Sequence, residues 1–524
     1  MSIQNKSLSN NIIENSIQNT KASNLFDALK EQQLTPKTSQ GSSSKNPSDC
    51  KSSESLKKNT DQASYFTKYF KDTTQKFWNS CSEELSPENF GQVDSKSNNM
   101  DGSYYLLSIK DDNKLVKINL KVRENYLFAT SKNKKSELET YNSDMNYIKM
   151  EVLELDVSSD EKKNKKLYGI LFTKNEIYEE IYHTSKEKIV RLFYYLKKYC
   201  ILFNLKDDFK VNNQIGSGNF SKVYEAERIF DNKKFALKVI NKKEFDTKSS
   251  KKRMMEEISI LRHISNTDSK NKDSYLNIDS IYEGKSSIYI VSNIFEGQNL
   301  FEYYKENRNC FSEKDCIKIM KSLLESLVYL QSKGIMHRDI KPANLVMKTK
   351  DNFHELAIVD YGLSLFKNEK NSNGLSNDQM AGTPGYICPE MLKQQEYDYK
   401  CDVFSAGCTF YMLLFGKQIF YKKDRNECLE LNKECPVKDM LIKDLKKNSG
   451  HQYNVSVLEL LINMLEPIQS DRMYAHELLE LPIFDVIKEL DNNSNENIIE
   501  ESNNNCTKIA QENPIQNINK LKDF

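Results

Sequence analysis

The sequence lacks the features of a secreted or membrane-spanning protein. Its 11 cysteines are scattered without a Cys-x-x-Cys pair, so we expect free thiols in a reducing compartment rather than a disulfide framework or a zinc site. The first ten residues contain no apolar stretch of the kind found in secretory signals. No apolar run approaches the roughly 18 residues that a membrane-spanning helix needs. These absences predict a cytoplasmic protein.

An excess of charge of one sign is also absent. The chain has 76 basic and 75 acidic residues and a formal net charge of +1, so its overall charge gives no reason to expect nucleic acid as a partner. Its 524 residues are too many for one ordinary domain. We therefore expect several domains, and changes in composition along the chain indicate where they begin and end.

Both ends of the chain are poor in large apolar side chains. Residues 1–60 are rich in Ser, Asn, Gln and Lys, and residues 485–524 are rich in Asn. Such segments bury too little apolar surface to offset the entropy that is lost on ordering. We predict that both tails are disordered.

A linker with an amphipathic helix is predicted for residues 61–98. Between residues 62 and 80, aromatic side chains recur on one face of a helix: Tyr65, Phe66, Tyr69, Phe70, Phe77 and Trp78. Two roles remain open for this face. It can pack on a neighbouring domain, or it can dock to a partner or a membrane.

Residues 99–206 read as several strands closed by one helix. Over residues 116–123 apolar and polar residues alternate, which places them on opposite faces of a strand. Further strand-like runs cover residues 126–130, 147–155 and 167–173. The apolar residues that follow have helical spacing: Ile189, Leu192, Phe193, Leu196, Cys200 and Phe203.

This order of elements resembles a pleckstrin-homology (PH) domain. The closing helix of that family usually carries a tryptophan, and Phe193 or Tyr194 takes its place here. The resemblance implies a β-barrel or sandwich with a C-terminal helix. Basic residues near the first strands could bind phosphoinositide head groups and recruit the protein to a membrane: Lys110, Lys114, Lys117, Lys121 and Arg123. The alternatives are a solvated strand face, protein binding or regulation of a neighbouring domain.

A glycine-rich segment follows the predicted helix. It consists of Ile215, Gly216, Ser217, Gly218, Asn219, Phe220, Ser221, Lys222 and Val223. Glycines allow the backbone to approach phosphates and to present N–H donors, although such turns are also common in plain hairpins. Lys238 ends an apolar strand one hairpin later, where a lysine is by itself commonly a solvated strand end. At this distance from a glycine-rich segment it resembles the protein-kinase lysine that holds the α- and β-phosphates of ATP. Glu257 is its expected carboxylate partner, with Glu256 as the competitor.

Three further motifs follow in order. They are His337–Asn344, Asp360–Gly362 and Gly382–Glu390. Together with the glycine-rich segment and Lys238, they resemble the eukaryotic protein kinases over residues 209–484. The type is serine/threonine, nearest to the calcium/calmodulin-dependent-like kinases. The resemblance implies an α+β bilobal fold, with a sheet-rich N-lobe above a helical C-lobe and ATP between them.

The resemblance also implies a role for each motif residue. Asp339 would accept the proton of the attacking hydroxyl, and Lys341 would steady the transferring phosphoryl group. Asn344 and Asp360 would bind Mg²⁺. Further contacts with ATP would come from the glycine-rich segment and from Ala236, Asn293, Phe295 and Val346. Structural anchors would be the pair Glu390 and Arg472, and Asp402 beneath the catalytic loop.

Some positions differ from what the resemblance leads us to expect. Ser292 is a small residue at the gatekeeper position behind the adenine pocket, so bulky ATP-site inhibitors should bind. Asn299 and Ala343 stand where kinases that prefer basic substrates have glutamates. Gln379, with Asp378 beside it, stands where a phosphorylated residue usually pairs with the arginine that precedes Asp339, so we hypothesise activity without that phosphate.

Two alternatives to an active kinase remain. One is a pseudokinase scaffold and the other is an adaptor that mainly binds lipid. The sequence retains Lys238, Asp339, Asn344 and Asp360, at least one of which pseudokinases usually lack. The favoured hypothesis is a serine/threonine kinase that uses ATP and Mg²⁺ and is regulated or recruited through the PH-like domain.

Overall fold

The structure is a computed structural model. It describes residues 79–80, 100–108, 114–123, 126–132, 138–144, 149–157, 165–174, 177–202, 204–218, 221–245, 247–265, 275–307, 311–367, 381–447 and 453–485. These residues form two compact units. The first unit runs to Phe245 and includes Ile278–Ile294, and the second contains Asp246–Asn277 and the chain from Phe295 onward.

Several predicted segments lie outside the described residues. These are the two tails, apart from Asp485, and most of the linker. The predicted helix of residues 62–80 can be compared only at its last two positions. There Asn79–Ser80 forms a short strand, β1, so the helix prediction is wrong for these two residues.

The first unit begins with an antiparallel sheet and a helix. Its strands are β2 (Gly102–Ser108), β3 (Lys114–Arg123), β4 (Tyr126–Lys132), β5 (Leu138–Asp144), β6 (Lys149–Val157), β7 (Lys165–Lys174) and β8 (Ile177–His183). In space the order is β1-β5-β4-β3-β2-β8-β7-β6. Residues 100–202, which we call the β-region, therefore contain two meanders, β2–β5 and β6–β8, which join where β2 pairs with β8.

Helix α1 (Lys186–Leu196) closes the β-region. Ser185 caps it by accepting a hydrogen bond from the Lys188 backbone N–H. Four of the predicted apolar positions are buried on its inner face: Ile189, Leu192, Phe193 and Leu196. The predicted helix is too long, because Cys200 lies beyond its end and the next two residues form strand β9 (Ile201–Leu202).

Strand β9 joins the β-region to the strands that follow it. It runs parallel to β6 on one side and to β13 on the other. The later strands are β10 (Phe209–Ser217), β11 (Ser221–Arg228), β12 (Lys234–Asn241), β13 (Ile278–Glu283) and β14 (Ser287–Asn293). They continue the sheet as β13-β14-β12-β11-β10, giving 14 strands in one unbroken order.

The core of the first unit also continues through this junction. One cluster of buried residues contains Leu120 and Phe172 of the β-region together with Leu237 of β12. Phe209 packs edge-on against Phe235 and Tyr282, with ring centroids 5.5 and 6.0 Å apart. The apolar core thus crosses the boundary near residue 206 at which the sequence separates two domains.

Polar contacts reinforce the same junction. The ammonium of Lys197, just after α1, lies 2.9 Å from the carboxylate of Asp279 in β13. Arg228 of β11 contacts the other oxygen of that carboxylate at 3.4 Å. The Tyr282 hydroxyl donates to Asp208, in the short helix α2 (Leu205–Asp208), at 2.5 Å. The structure therefore holds the β-region against β13 through its sheet, its core and its side chains.

The prediction is wrong for one residue of the lipid-binding face. Arg123 is buried, and its guanidinium binds Asp101 at 2.9 Å and the Val122 carbonyl at 2.6 Å. A buried guanidinium that is paired in this way is not part of an outward face. Lys117 is exposed and Lys121 is half-buried. Lys110 lies outside the described residues, as does the side chain of Lys114.

The second unit is mainly helical. Its helices are α3 (Lys248–Ser265), α4 (Leu300–Glu306), α5 (Glu313–Ser332), α6 (Pro389–Leu392), α7 (Lys400–Phe415), α8 (Arg425–Glu434), α9 (Val437–Lys447), α10 (Val455–Met464) and α11 (Ala475–Leu478). Two small antiparallel sheets accompany them: β15 (Ile335–Met336) with β18 (Leu365–Phe366), and the hairpin of β16 (Leu345–Met347) with β17 (Leu356–Ile358).

Helix α7 is the central helix of this unit. Its residues are buried from Lys400 to Leu413, as expected of a helix that is apolar on all sides. Gly416 ends it in the left-handed conformation, where glycine is favoured. Among the described residues, no helix has the length and apolar character needed to cross a membrane. A sheet-rich first unit and a helical second unit fit the bilobal kinase fold that the sequence predicts.

Candidate active site

The glycine-rich segment forms the turn between β10 and β11. Gly216 lies opposite Val223, and Ser217 lies opposite Lys222. The backbone N–H of Gly218 donates to the Ser221 carbonyl at 2.8 Å, which closes the turn. Ile215 is 48% exposed at the edge strand. Asn219 and Phe220 lie outside the described residues.

Several predicted ATP contacts share one face of the first unit's sheet. Val223 lies directly opposite Lys238, and Ala236 lies opposite Ser292. Directly opposed residues point to the same face of a sheet, as do residues two apart on one strand. These four side chains therefore line one surface of the sheet. The glycine-rich turn leads into β11, the strand that carries Val223. Asn293 is the last residue of β14.

In the second unit, Asp339 is the centre of a hydrogen-bonded cluster. Lys341 Nζ lies 2.7 Å from one oxygen of the Asp339 carboxylate, and Asn344 Nδ2 donates to the same oxygen at 3.0 Å. The Thr383 hydroxyl donates to the other oxygen at 2.6 Å. Lys341 also donates to Thr383 at 2.7 Å. The structure thus brings Asp339, Lys341 and Asn344 together and adds Thr383 to them.

Asp402 at the start of α7 holds the loop that carries this cluster. Its two carboxylate oxygens accept the backbone N–H groups of His337 and Arg338, each at 2.7 Å. Burial raises the pKa of Asp402, and the His337 charge and the two backbone hydrogen bonds act against that rise. Arg338 has a positive φ of 65°, a conformation that costs on the order of 1–3 kcal/mol and needs such support. The predicted anchoring role of Asp402 is confirmed.

The two predicted metal ligands flank one hairpin. Asn344 immediately precedes β16, and Asp360 follows β17 by two residues. The Val359 backbone N–H donates to the Asn344 carbonyl at 3.0 Å, which brings the two ends of the hairpin side by side. Val346 lies half-buried within β16. Amide and carboxylate oxygens are ligands that Mg²⁺ accepts, so the donor set fits this ion.

Glu257 of α3 points towards the same end of the hairpin. A β-carbon added to Gly362 would lie 3.4 Å from an Asp360 oxygen and 3.5 Å from a Glu257 oxygen. Glu257 is only 6% exposed. Its competitor Glu256 is more exposed and contacts Lys252 at 3.8 Å along the helix surface. These positions favour Glu257 over Glu256, and its pairing with Lys238 stays a prediction.

The segment that carries Thr383 is fixed at its far end by a buried ion pair. Arg472 donates to both carboxylate oxygens of Glu390, at 2.7 and 3.1 Å, and both side chains are buried. This confirms a pair predicted across 82 residues of sequence. Gly385, between Thr383 and Glu390, donates its backbone N–H to Asn432 of α8 at 3.1 Å.

Sequence reasoning missed Thr383 as a member of the site. It included the residue only within the motif Gly382–Glu390. The available signal was its hydroxyl near the start of that motif. Phe295 lies in the second unit, just before α4, while Asn293 belongs to the first.

Comparisons with known proteins agree with this geometry. The protein kinase domain family matches residues 209–484, more than half of the chain. The chain is 30% identical over 288 residues to serine/threonine-protein kinase cds1 of Schizosaccharomyces pombe, covering 53% of this chain and 58% of that protein. It is 32% identical over 213 residues to myosin light chain kinase A of Dictyostelium discoideum, covering 41% and 68%.

A plant relative gives a similar result. The chain is 28% identical over 281 residues to calcium-dependent protein kinase SK5 of Glycine max, covering 53% of this chain and 52% of that protein. The chain therefore spans little more than half the length of the yeast and plant relatives. In all three, the similarity concerns part of each protein.

Proposed function

Because the chain belongs to the protein kinase family, we propose that it transfers the γ-phosphate of ATP to serine and threonine hydroxyls of proteins. The observation that carries this proposal is the cluster around Asp339. One carboxylate oxygen accepts from Lys341 and Asn344, and the other accepts from Thr383. All these residues belong to one unit, and each of the other three lies within hydrogen-bond distance of Asp339.

The geometry suits a base that receives a proton from an alcohol. The Thr383 hydroxyl occupies the Asp339 oxygen to which a substrate hydroxyl would bind. Lys341 supplies a positive charge beside the same carboxylate, where it can stabilise the negative charge that develops on the phosphoryl oxygens. General-base help of this kind contributes about 10²–10⁴-fold to a rate.

Magnesium would be held by Asn344 and Asp360. Among the described residues, no group of three or more His, Cys, Asp and Glu side chains could hold a metal by itself. Mg²⁺ usually takes one or two carboxylates from a protein and further oxygens from the substrate phosphates. When bound, the ion would neutralise charge on the phosphates of ATP. Lys238 and the glycine-rich turn would hold those phosphates.

Serine/threonine specificity is supported by the contact between Lys341 and Thr383, at 2.7 Å. The name of the yeast relative states the same specificity for that protein. At position 299 an asparagine stands in place of a carboxylate. Its side chain caps α4 by accepting hydrogen bonds from the backbone N–H groups of Phe301 and Glu302. We therefore propose substrates that need no arginine upstream of the target.

The test uses the full chain, labelled ATP, Mg²⁺ and a mixed peptide library. We expect the wild type to label serine or threonine. Asp339→Asn and Asp360→Ala should lose activity by at least about 100-fold, whereas Asp471→Asn, at an exposed position, should not. Equal labelling by the wild type and Asp339→Asn would refute the assigned base. No labelling by any variant would favour the pseudokinase scaffold.

We also propose that the β-region is a PH-like domain that recruits a cytoplasmic enzyme to phosphoinositide membranes. Its two antiparallel meanders, joined where β2 pairs with β8 and followed by α1, support the fold. Lys117 and Lys121 support the site, because they are four residues apart on β3 and so share a face.

Vesicle sedimentation of the full chain tests this second proposal. Phosphoinositide vesicles should retain the wild type more strongly than phosphatidylcholine vesicles. Lys117→Glu/Lys121→Glu should abolish the difference. Lys210→Glu, an exposed lysine on β10, serves as the charge-matched control. Equal binding by the double variant and the wild type would refute the site, and a solvated strand face would then be the better interpretation.

A further inference from the structure

The guanidinium of Arg338 joins three separate segments of the second unit. Its Nε donates to the Leu363 carbonyl at 2.8 Å, in the segment that follows Asp360. Its Nη1 donates to the Tyr397 hydroxyl at 3.1 Å, in the loop between α6 and α7. Its own backbone belongs to the loop that carries Asp339. Both partners of this guanidinium are neutral oxygen atoms.

Tyr397 is well placed to hold a partner still. Its side chain is half-buried, and burial raises its pKa, so its hydroxyl keeps its proton at physiological pH. The loop is fixed on both sides of it. The Gln395 backbone N–H donates to the Glu390 carbonyl at 2.9 Å. Asp398 accepts from the Tyr474 hydroxyl at 2.8 Å. A hydroxyl on such a loop loses little further entropy when it accepts a hydrogen bond.

Arg338 in turn controls the residue next to it. Its positive φ turns the chain so that Asp339 reaches the cluster with Lys341 and Asn344. Its carbonyl lies so close to Gly382 that an added β-carbon there would sit 3.0 Å from it. A shift of the Arg338 side chain would therefore disturb both Asp339 and Gly382.

We propose that Tyr397 is a positioning residue for phosphoryl transfer. Its hydroxyl holds Arg338, and through Arg338 it fixes Asp339. This inference rests on the proposed kinase function.

The first test compares kinetics of full-length variants. Tyr397→Phe removes one oxygen and keeps the ring, so the fold should persist. We expect kcat to fall by at least about 10-fold, the size of one hydrogen bond to a charged group, with KM for ATP within about twofold. Tyr399→Phe, half-buried in the same loop, is the matched control and should leave kcat unchanged. An unchanged kcat in Tyr397→Phe would overturn the proposal.

A double-mutant cycle separates positioning from a general structural effect. If Tyr397 acts through Arg338, then Tyr397→Phe should change kcat by less than about twofold in an Arg338→Met background. Losses that multiply in the double variant would show that the two residues act independently and would overturn the inference.

A second readout does not require activity. Hydrogen exchange of the backbone amides in His337–Asn344 should speed up in Tyr397→Phe and not in Tyr399→Phe. If the wild type proves inactive but this difference appears, the positioning contact stands and the proposed function fails. If the wild type is active and exchange is unchanged, the positioning role fails and the function stands.

Discussion

Replacing Leu202 with alanine should destabilise the β-region and the strands β10–β14 together. Leu202 is 5% exposed and lies in strand β9. It is opposite Met150 of β6 on one side and opposite Tyr282 of β13 on the other. It also belongs to the buried cluster shared by both regions. A cavity at this position therefore removes contacts from both halves of the sheet.

The expected size follows from the burial of the side chain. Removing about three buried carbon atoms forfeits roughly 2.4 kcal/mol of transfer free energy, and the cavity adds to that loss. We expect the free energy of unfolding of the first unit to fall by about 3 kcal/mol. For a unit of this size, each kcal/mol lowers the melting temperature by about 2–4 °C.

Native-state hydrogen exchange on the full chain distinguishes one cooperative unit from two. In Leu202→Ala, the most protected amides of β3 and of β12 should lose protection by the same free energy. Val211→Ala, at a position 45% exposed on β10, is the control and should change neither strand by more than about 0.5 kcal/mol. Loss of protection in β3 with β12 unchanged would refute the reasoning, because it would show that the two regions unfold separately.

Three further predictions concern the second unit and the ATP face. Burial lowers the pKa of His337, although the nearby charges of Asp402, Asp339 and Asp360 oppose this shift. The unfolded chain therefore binds a proton at this histidine more readily than the folded chain does. The free energy of unfolding should decrease as pH falls below about 6.5, by up to about 1.4 kcal/mol per pH unit. Urea titrations at several pH values should show this slope in the wild type and not in His337→Phe. Glu390→Ala leaves Arg472 buried without its carboxylate and should cost about 3–5 kcal/mol in the same titrations, whereas an effect below 1 kcal/mol would contradict the buried pair. Ser292→Met should abolish binding of bulky ATP-site inhibitors in a competition assay, and unchanged potency would show that the gatekeeper is misassigned.

Long-range contacts between residues of the kinase motifs could be predicted from the sequence, because in this family each such residue has an expected partner in another motif. Glu390 and Arg472 are the clearest case, and Asp402 beneath the catalytic loop is another. In both cases a charged residue must be buried, which leaves few arrangements that satisfy it. Helix α1 was also predictable, since four of its apolar positions follow the helical period.

The junction at β9 could not be predicted in this way. Two residues are too few to show any period, and Ile201 and Leu202 read equally well as the end of α1. Arg123 was misplaced for a related reason. It continues the polar set of a strand, but Asp101, 22 residues earlier, draws its guanidinium into the interior. Contacts of this kind depend on the tertiary structure and leave no local pattern.

The unbroken sheet has a practical consequence for anyone who cuts this chain at the family boundary, residue 209. Removing β9 would turn β13 into an edge strand whose backbone N–H and C=O groups face solvent. Phe209 and Tyr282 would lose their apolar cover beside it. Such an edge is a template for pairing with other copies, so the excised domain should aggregate, whereas a fragment that begins near residue 100 retains the strand that blocks it.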